Sequence, residues 1–255
     1  MIRIRRPAKP PATLRNRGQQ EKEILCDQYD ANPAGYDAGR MKFPTAKKLI
    51  YGSSAVRNVL IKCQHNKCCY SEAKFVRDYV PVEHFRPKGA IGQQGSSEKQ
   101  YPGYYWLAYE WSNLLLCKPG VNSNKKDYFP LSDEATRANN HHGDLGMESP
   151  MLIDPASEDP REHIRFHDEE PYGITDRGRY TVDLLLRHPD LDEDRRTRFN
   201  HLDKLKLAIK ALNKAFDDTG NEEMRDTANL IKAQLDAAIE PHAEYSSMAI
   251  DLLSR

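Results

Sequence analysis

What this sequence lacks narrows its class before any motif is read. No apolar run approaches the ~20 residues that a membrane-spanning helix requires, so no membrane segment is expected. The opening Met1-Ile2-Arg3-Ile4-Arg5-Arg6-Pro7 has no apolar core of the kind a secretory signal carries. Five cysteines, odd in number and irregularly spaced, do not make a disulfide framework, and a reducing cytoplasm is the expected setting. Excess charge is missing too: 38 Lys and Arg balance 38 Asp and Glu, which excludes a field of the whole molecule as the means of attracting nucleic acid and leaves that task to local patches or a partner. No internal repeat is present.

The balance hides an uneven distribution. Met1 to Lys22 carries Arg3, Arg5, Arg6, Lys9, Arg15, Arg17 and Lys22 against the single acid Glu21, a basic arm that reads either as a strap along phosphates or as a loosely ordered terminus broken by Pro7, Pro10 and Pro11. At 255 residues the chain has length for one large or two small domains.

The chemistry concentrates between residues 83 and 126. Glu83-His84-Phe85-Arg86-Pro87-Lys88 is followed by Trp111-Ser112-Asn113-Leu114-Leu115-Leu116 and then by Asn122-Ser123-Asn124-Lys125-Lys126. Hydrolysis of a phosphodiester at neutral pH needs a base for water and a cation to offset charge on the phosphoryl and leaving oxygens. His84 suits the first demand, because a neutral imidazole accepts a proton near pH 7. Glu83 and Asn122 suit the second, since two hard oxygens leave room for waters and phosphate around Mg²⁺ or Mn²⁺. Arg86, Lys88, Lys125 and Lys126 are the cations expected against the nucleic-acid backbone.

Local composition sets these residues on a strand, a loop, a second strand and a helix. Phe75 to Val82 is rich in β-branched and aromatic residues, with Pro81 near its end, which places His84 at a strand terminus. Gly89 to Gln100 reads as a flexible loop, and Asn122 is expected to begin a short helix.

The order of His84, Asn113 and Asn122 is that of an HNH nuclease. With Pro150-Met151-Leu152-Ile153-Asp154-Pro155 and Gly178 to Leu185, the segment from Cys68 to Leu131 resembles the HNH nucleases of Septu-type anti-phage defence, the PtuB-like proteins, some of which accompany retrons. The resemblance implies a ββα-metal finger in which His84 is the general base, Glu83 and Asn122 hold the metal, and Asn113 ties the loop and orients His84. It also implies DNA as substrate and a PtuA-like ATPase as partner. A catalytically weak nucleic-acid-binding or scaffold subunit, and an RNA-directed nuclease, are the alternatives. Many such fingers carry a structural zinc on two Cys-x-x-Cys pairs; here those positions fall on Cys68 and Ser71, then Lys118 and Val121, so no structural zinc is expected, although Cys63, His65, Cys69 and Cys117 stand nearby. Burial of Tyr104, Tyr105, Trp106, Tyr109 and Trp111 is the expected substitute brace.

The flanks read as helical. Thr45 is placed to cap a helix through Leu49, Ile50, Val56, Val59 and Leu60, weakened at Gly52. Leu131 to Pro160 reads as irregular, with His141 and His142 a solvated pair, and Ile164–His167 is expected to pair with Arg179–Val182 across 171–178. Leu202, Leu205, Ile209, Leu212 and Phe216 form one helical stripe ended by Gly220; a second runs from Met224 to Ile239, and a third holds Met248, Leu252 and Leu253. The expectation is an α+β chain: a basic arm and helical region over 1–62, the nuclease finger over 63–131, and a loop, hairpin and helical region over 132–255.

Overall fold

The computed structural model describes residues 1–75 and 80–255. Of the strand expected over Phe75 to Val82, residues 76–79 lie outside the described residues, and of the other four only Val82 is in a strand. A π-helical turn, Leu14–Gly18, leads into α1 (Gln19–Ala31), followed by α2 (Pro33–Asp37), α3 (Lys48–Tyr51) and α4 (Ser54–Cys63). Three short strands follow, β1 (Val82–His84), β2 (Ile91–Gly92) and β3 (Lys99–Gln100), and then β4 (Leu114–Leu116) and α5 (Pro119–Lys125). The rest comprises β5 (Ile164–His167), β6 (Glu170–Gly173), α6 (Asp176–Thr181), α7 (Pro189–Thr219), α8 (Glu222–Ala238) and α9 (Ser246–Leu253). No helix among the described residues is long and apolar enough to cross a membrane.

The sheets are small and separate: β1 pairs antiparallel with β4, β2 with β3, and β5 with β6. Register in the first puts Val82 opposite Leu116, Glu83 opposite Leu115 and His84 opposite Leu114. Leu114, Leu115 and Leu116 are fully buried, so β4 is a core strand, apolar on both faces. Around it pack Tyr104, Tyr105, Trp106, Tyr109 and Trp111, all buried, on and beside 3₁₀ turns at Tyr105–Leu107 and Trp111–Asn113 rather than on a strand. That aromatic mass anchors the ground on which β1 ends.

Several local expectations change for identifiable reasons. The helix foreseen from Thr45 splits at Gly52; Ser53, not Thr45, caps the second piece by accepting from the Val56 N–H at 3.4 Å. Asn122 lies inside α5, whose start is set by Pro119 at its first position, where a missing N–H costs nothing. Ile164–His167 turns back at once through Asp168, at φ 55°, to pair with Glu170–Gly173, not with Arg179–Val182. The latter region is helical because Thr175 caps α6 by accepting from the Gly178 N–H at 3.0 Å.

The start of the basic arm is tied to the body of the chain. Met1 and Ile4 are buried, the Ile4 N–H donates to the Pro155 carbonyl at 2.6 Å, and the Arg6 guanidinium donates to the carbonyls of Trp111 and Leu114 at 2.5 and 2.8 Å. Arg6 spends its donors on the backbone beside β4, while Arg3 and Arg5 stay exposed. A second anchor is the Glu72 carboxylate, 2% exposed, which meets the Met1 amino group and the Lys67 ammonium at 3.0 Å each, the Ser246 hydroxyl at 2.8 Å and the Ser247 hydroxyl. It ties the turn after α4 to the start of α9.

The C-terminal periodicities hold. α7 begins earlier than Leu202, at Pro189, and ends at Gly220 in the left-handed conformation that glycine takes at little cost (φ 67°). It packs against α8, and α9 packs against β5 and both long helices.

Candidate active site

His84 closes β1, and its surroundings fix its chemistry. The ring Nε2 lies 2.9 Å from the Ala108 carbonyl. A carbonyl only accepts, so Nε2 carries the proton and Nδ1 holds the lone pair. That Nδ1 points toward the Lys88 ammonium at 3.4 Å. Burial foremost, and then the Lys88 and Lys125 ammoniums, push the pKa down to about 3 against the smaller upward pull of Ala108. The ring is neutral at pH 7, as a proton acceptor must be. Tyr51 packs edge-on against it at 4.7 Å between centroids.

A cleft of about 530 Å³ opens over this residue, and Glu83, His84, Lys88, Asn122 and Lys126 all line it. Glu83 and His84 come from the end of β1 and Asn122 from α5, so strand pairing and helix packing bring together the acid, the imidazole and the amide that the sequence singled out. Glu83 is held from the far side: the Lys125 ammonium, fully buried, sits 2.9 Å from Glu83 Oε1 and donates to the His84 carbonyl at 2.9 Å. The donor set of one carboxylate and one carboxamide in a wet, roomy cleft fits a hard divalent cation that retains several waters. Lys42, exposed on the segment before α3, also lines the cleft, as do Phe43 and Thr45. Sequence reasoning missed them because they lie some forty residues before His84, in a stretch with no motif.

Asn113 does not reach the cleft. It is 3% exposed; its Oδ1 accepts from the Arg86 N–H at 2.7 Å, and its Nδ2 donates to the carbonyls of Arg86 at 3.0 Å and Leu107 at 3.1 Å. Arg86 is two residues beyond His84 and Leu107 immediately precedes Ala108, the carbonyl that fixes the His84 tautomer. Asn113 is thus a positioning residue that holds both walls of the histidine. Asn113→Ala should lower stability by about 1–3 kcal/mol, because it strands buried backbone groups. A thermal melt checks this, and an unchanged melting temperature would remove Asn113 from the supporting frame.

Two of the four cations expected against nucleic acid are otherwise engaged. Arg86 Nε donates to Glu148 at 2.8 Å, and Glu148 also accepts from Tyr104 Oη at 2.8 Å and the Ala138 N–H at 3.0 Å, so Arg86 is a half-buried tie between the end of β1 and the later loop. Lys125 is sequestered by Glu83 and His84. Lys88 and exposed Lys126 remain at the cleft, with Lys42. Gly103 holds the Lys88 loop close: at φ 74°, it approaches the Ala90 nitrogen so nearly that a Cβ would stand 2.7 Å from it.

The thiols form a separate cluster. Cys68, Cys69 and Cys117 place their sulfurs within 4.8 Å of one another, all buried, with Cys68 Sγ 3.8 Å from Cys117 Sγ and accepting from the Lys118 N–H at 3.3 Å. The sulfur that approaches Cys68 comes from Cys117, one residue before the expected Lys118; Cys63 and His65 stand outside the cluster.

Comparison with known proteins agrees with the PtuB-like resemblance. Over 129 residues, half of this chain, it is 43% identical to Septu protein PtuB of Bacillus mycoides strain KBAB4, and it is 24% identical to Septu protein PtuB of Bacillus thuringiensis over 267 aligned positions, 99% of the chain. The chain is PtuB-like. The matched segment spans 42% of the Bacillus mycoides protein's length and 82% of the Bacillus thuringiensis protein's. No family profile and no solved structure matches the PtuB-like chain.

Proposed function

We propose that this PtuB-like chain is a divalent-metal-dependent HNH endonuclease that hydrolyses DNA phosphodiesters in Septu-type anti-phage defence. The observation that carries this reading is the His84 imidazole, neutral and with its Nδ1 lone pair turned toward Lys88, sharing one cleft with Glu83 and Asn122 and with the cations Lys42, Lys88 and Lys126. In this reading β1, β4 and α5 would serve as the two strands and the helix of a ββα finger. His84 takes the proton of the attacking water through Nδ1 and is kept in the correct tautomer by Ala108. Lys88 and Lys126 seat the phosphate backbone. Glu83 and Asn122 would hold Mg²⁺ or Mn²⁺, which when bound offsets the charge on the phosphoryl and leaving oxygens.

Glu83→Ala and Asn122→Ala are expected to raise the half-activating Mg²⁺ concentration roughly ten-fold or more, or to remove activity. Nicking of supercoiled plasmid by purified protein across a Mg²⁺ series measures it; parental titration curves for both variants would place the metal elsewhere. One contact favours a second reading, a subunit that binds nucleic acid without cutting it: the Lys125 ammonium already neutralises Glu83 Oε1. DNA retention without Mg²⁺-dependent nicking, in the presence of the partner, would establish that alternative.

For the partner, the reading is a PtuA-like ATPase that gates cleavage. The antiparallel α7 and α8 carry Leu207 and Leu230, 58% and 70% exposed, on helices the cleft does not use. Co-purification with the neighbouring ATPase, repeated with the surface changes Leu207→Glu and Leu230→Glu together, is expected to lose the complex. A folded double variant that still associates would exclude these helices as the dock.

A further inference from the structure

Away from the cleft floor, Asp30 at the end of α1 faces His141 and His142 of the loop before Pro150. His142 Nε2 lies 2.9 Å from Asp30 Oδ1 and His141 Nε2 3.4 Å from Asp30 Oδ2; one ligand atom from each residue lies within 4.8 Å of the others. An ion bound at about 2.0–2.2 Å by two imidazoles and a carboxylate sets its donor atoms roughly 3–3.5 Å apart; each imidazole already stands at that separation from one carboxylate oxygen, His142 from Oδ1 and His141 from Oδ2, as a carboxylate shared between them through both oxygens requires. The separation between the two imidazoles can close without disturbing the core, because the His142 side chain is 65% exposed.

The inner histidine is held as a ligand would be. Its Nδ1 meets Tyr105 Oη at 2.5 Å, and Tyr105 is buried and stacked on Tyr29. A metal-bound imidazole characteristically gives its second nitrogen's proton to a fixed acceptor, and the Tyr105 oxygen occupies that place. The loop is braced independently: Asn140 Oδ1 accepts from the His142 N–H at 3.0 Å, and Asn140 Nδ2 donates to Tyr29 Oη at 3.1 Å. Two adjacent imidazoles, their rings 4.0 Å apart, repel once both are protonated, whereas a divalent ion binds both in their neutral forms.

From this geometry we infer that Asp30, His141 and His142 form a second metal site, for zinc or another late first-row divalent ion, which clips the end of α1 to the 139–143 loop. Two nitrogens and one carboxylate favour such an ion over Mg²⁺. The site is distinct from Glu83 and Asn122 and does not depend on the nuclease reading. Because Tyr105 lines the cleft as well as supporting His141, an ion here also stiffens one cleft wall.

The test is Co²⁺ titration of tag-free, chelator-treated protein, followed by visible absorption, with zinc as competitor. The parent is expected to take up one Co²⁺ whose visible bands arise without the thiolate charge-transfer band that ions at Cys68, Cys69 and Cys117 would give. His142→Ala and Asp30→Asn should each weaken that uptake about ten-fold or more. Both changes are at exposed side chains, so circular dichroism should show parental folding. No thiolate-free Co²⁺ in the parent, or parental affinity in both variants, would reduce the cluster to an ordinary ion pair and overturn the inference.

Discussion

Supercoiled plasmid incubated with Mg²⁺ and His84→Ala protein is expected to stay intact while the parent nicks it, a loss of about 10²–10⁴-fold for removal of a general base. The imidazole is also structural, because Ala108 loses its donor and a buried carbonyl left unpaired costs about 1–3 kcal/mol. A melt must therefore accompany the assay. His84→Gln separates the two roles: its amide can donate toward Ala108 but supplies no basic nitrogen, so it should fold better than His84→Ala and remain as inactive. Parental nicking by folded His84→Gln protein would remove His84 from the chemistry. If the partner ATPase is needed for cleavage, the same comparison is made on the complex.

The largest effect on stability is expected at Glu72. Glu72→Gln keeps the shape of the side chain but leaves the Lys67 ammonium, 1% exposed, without its counter-charge. Breaking a buried pair in this way costs about 3–5 kcal/mol, or roughly 6–20 °C in melting temperature for a chain of this size. Burial alone would raise the Glu72 carboxyl; the Met1 and Lys67 ammoniums and the Ser247 hydroxyl outweigh it and hold the pKa well below the usual carboxylate range. A depressed carboxylate contributes stability that is complete above its unfolded value near 4.5 and is lost as pH falls toward the folded one. The gap in melting temperature between parent and Glu72→Gln should accordingly be full at pH 7 and narrow below pH 4.5. A gap that is absent at pH 7, or that widens in acid, would show that the Glu72 cluster does not hold α9 to the turn after α4.

Legibility differed sharply between parts of the chain. The stripes on α7, α8 and α9 could be read because a helix face repeats at 3.6 residues whatever it packs on, and Gly220 ends α7 through its own backbone freedom. His84 at the end of a strand was legible for a similar local reason. The 164–182 region was not, since Glu170–Gly173 has no β-branched residue to mark it as the partner strand, and the pairing was decided by a tight turn at Asp168 and a Thr175 cap. In the basic arm the role of Arg6 was not legible, because its charge was visible in the sequence but the carbonyls of Trp111 and Leu114 that it satisfies were not.

The sequence by itself determined the candidate chemistry: a histidine beside an acid, an amide downstream, and lysines around them, because those residue types carry their proton affinity and ligand hardness wherever they lie. Tertiary structure alone decided which atoms can act. It chose the His84 tautomer through Ala108, made Asn113 a brace, withdrew Arg86 and Lys125 into ion pairs, added Lys42 to the cleft, and gathered Cys68, Cys69 and Cys117. Each of those outcomes depends on a partner distant in sequence, and in a buried setting an unpaired charge or donor is costly enough that the partner fixes what remains available for function.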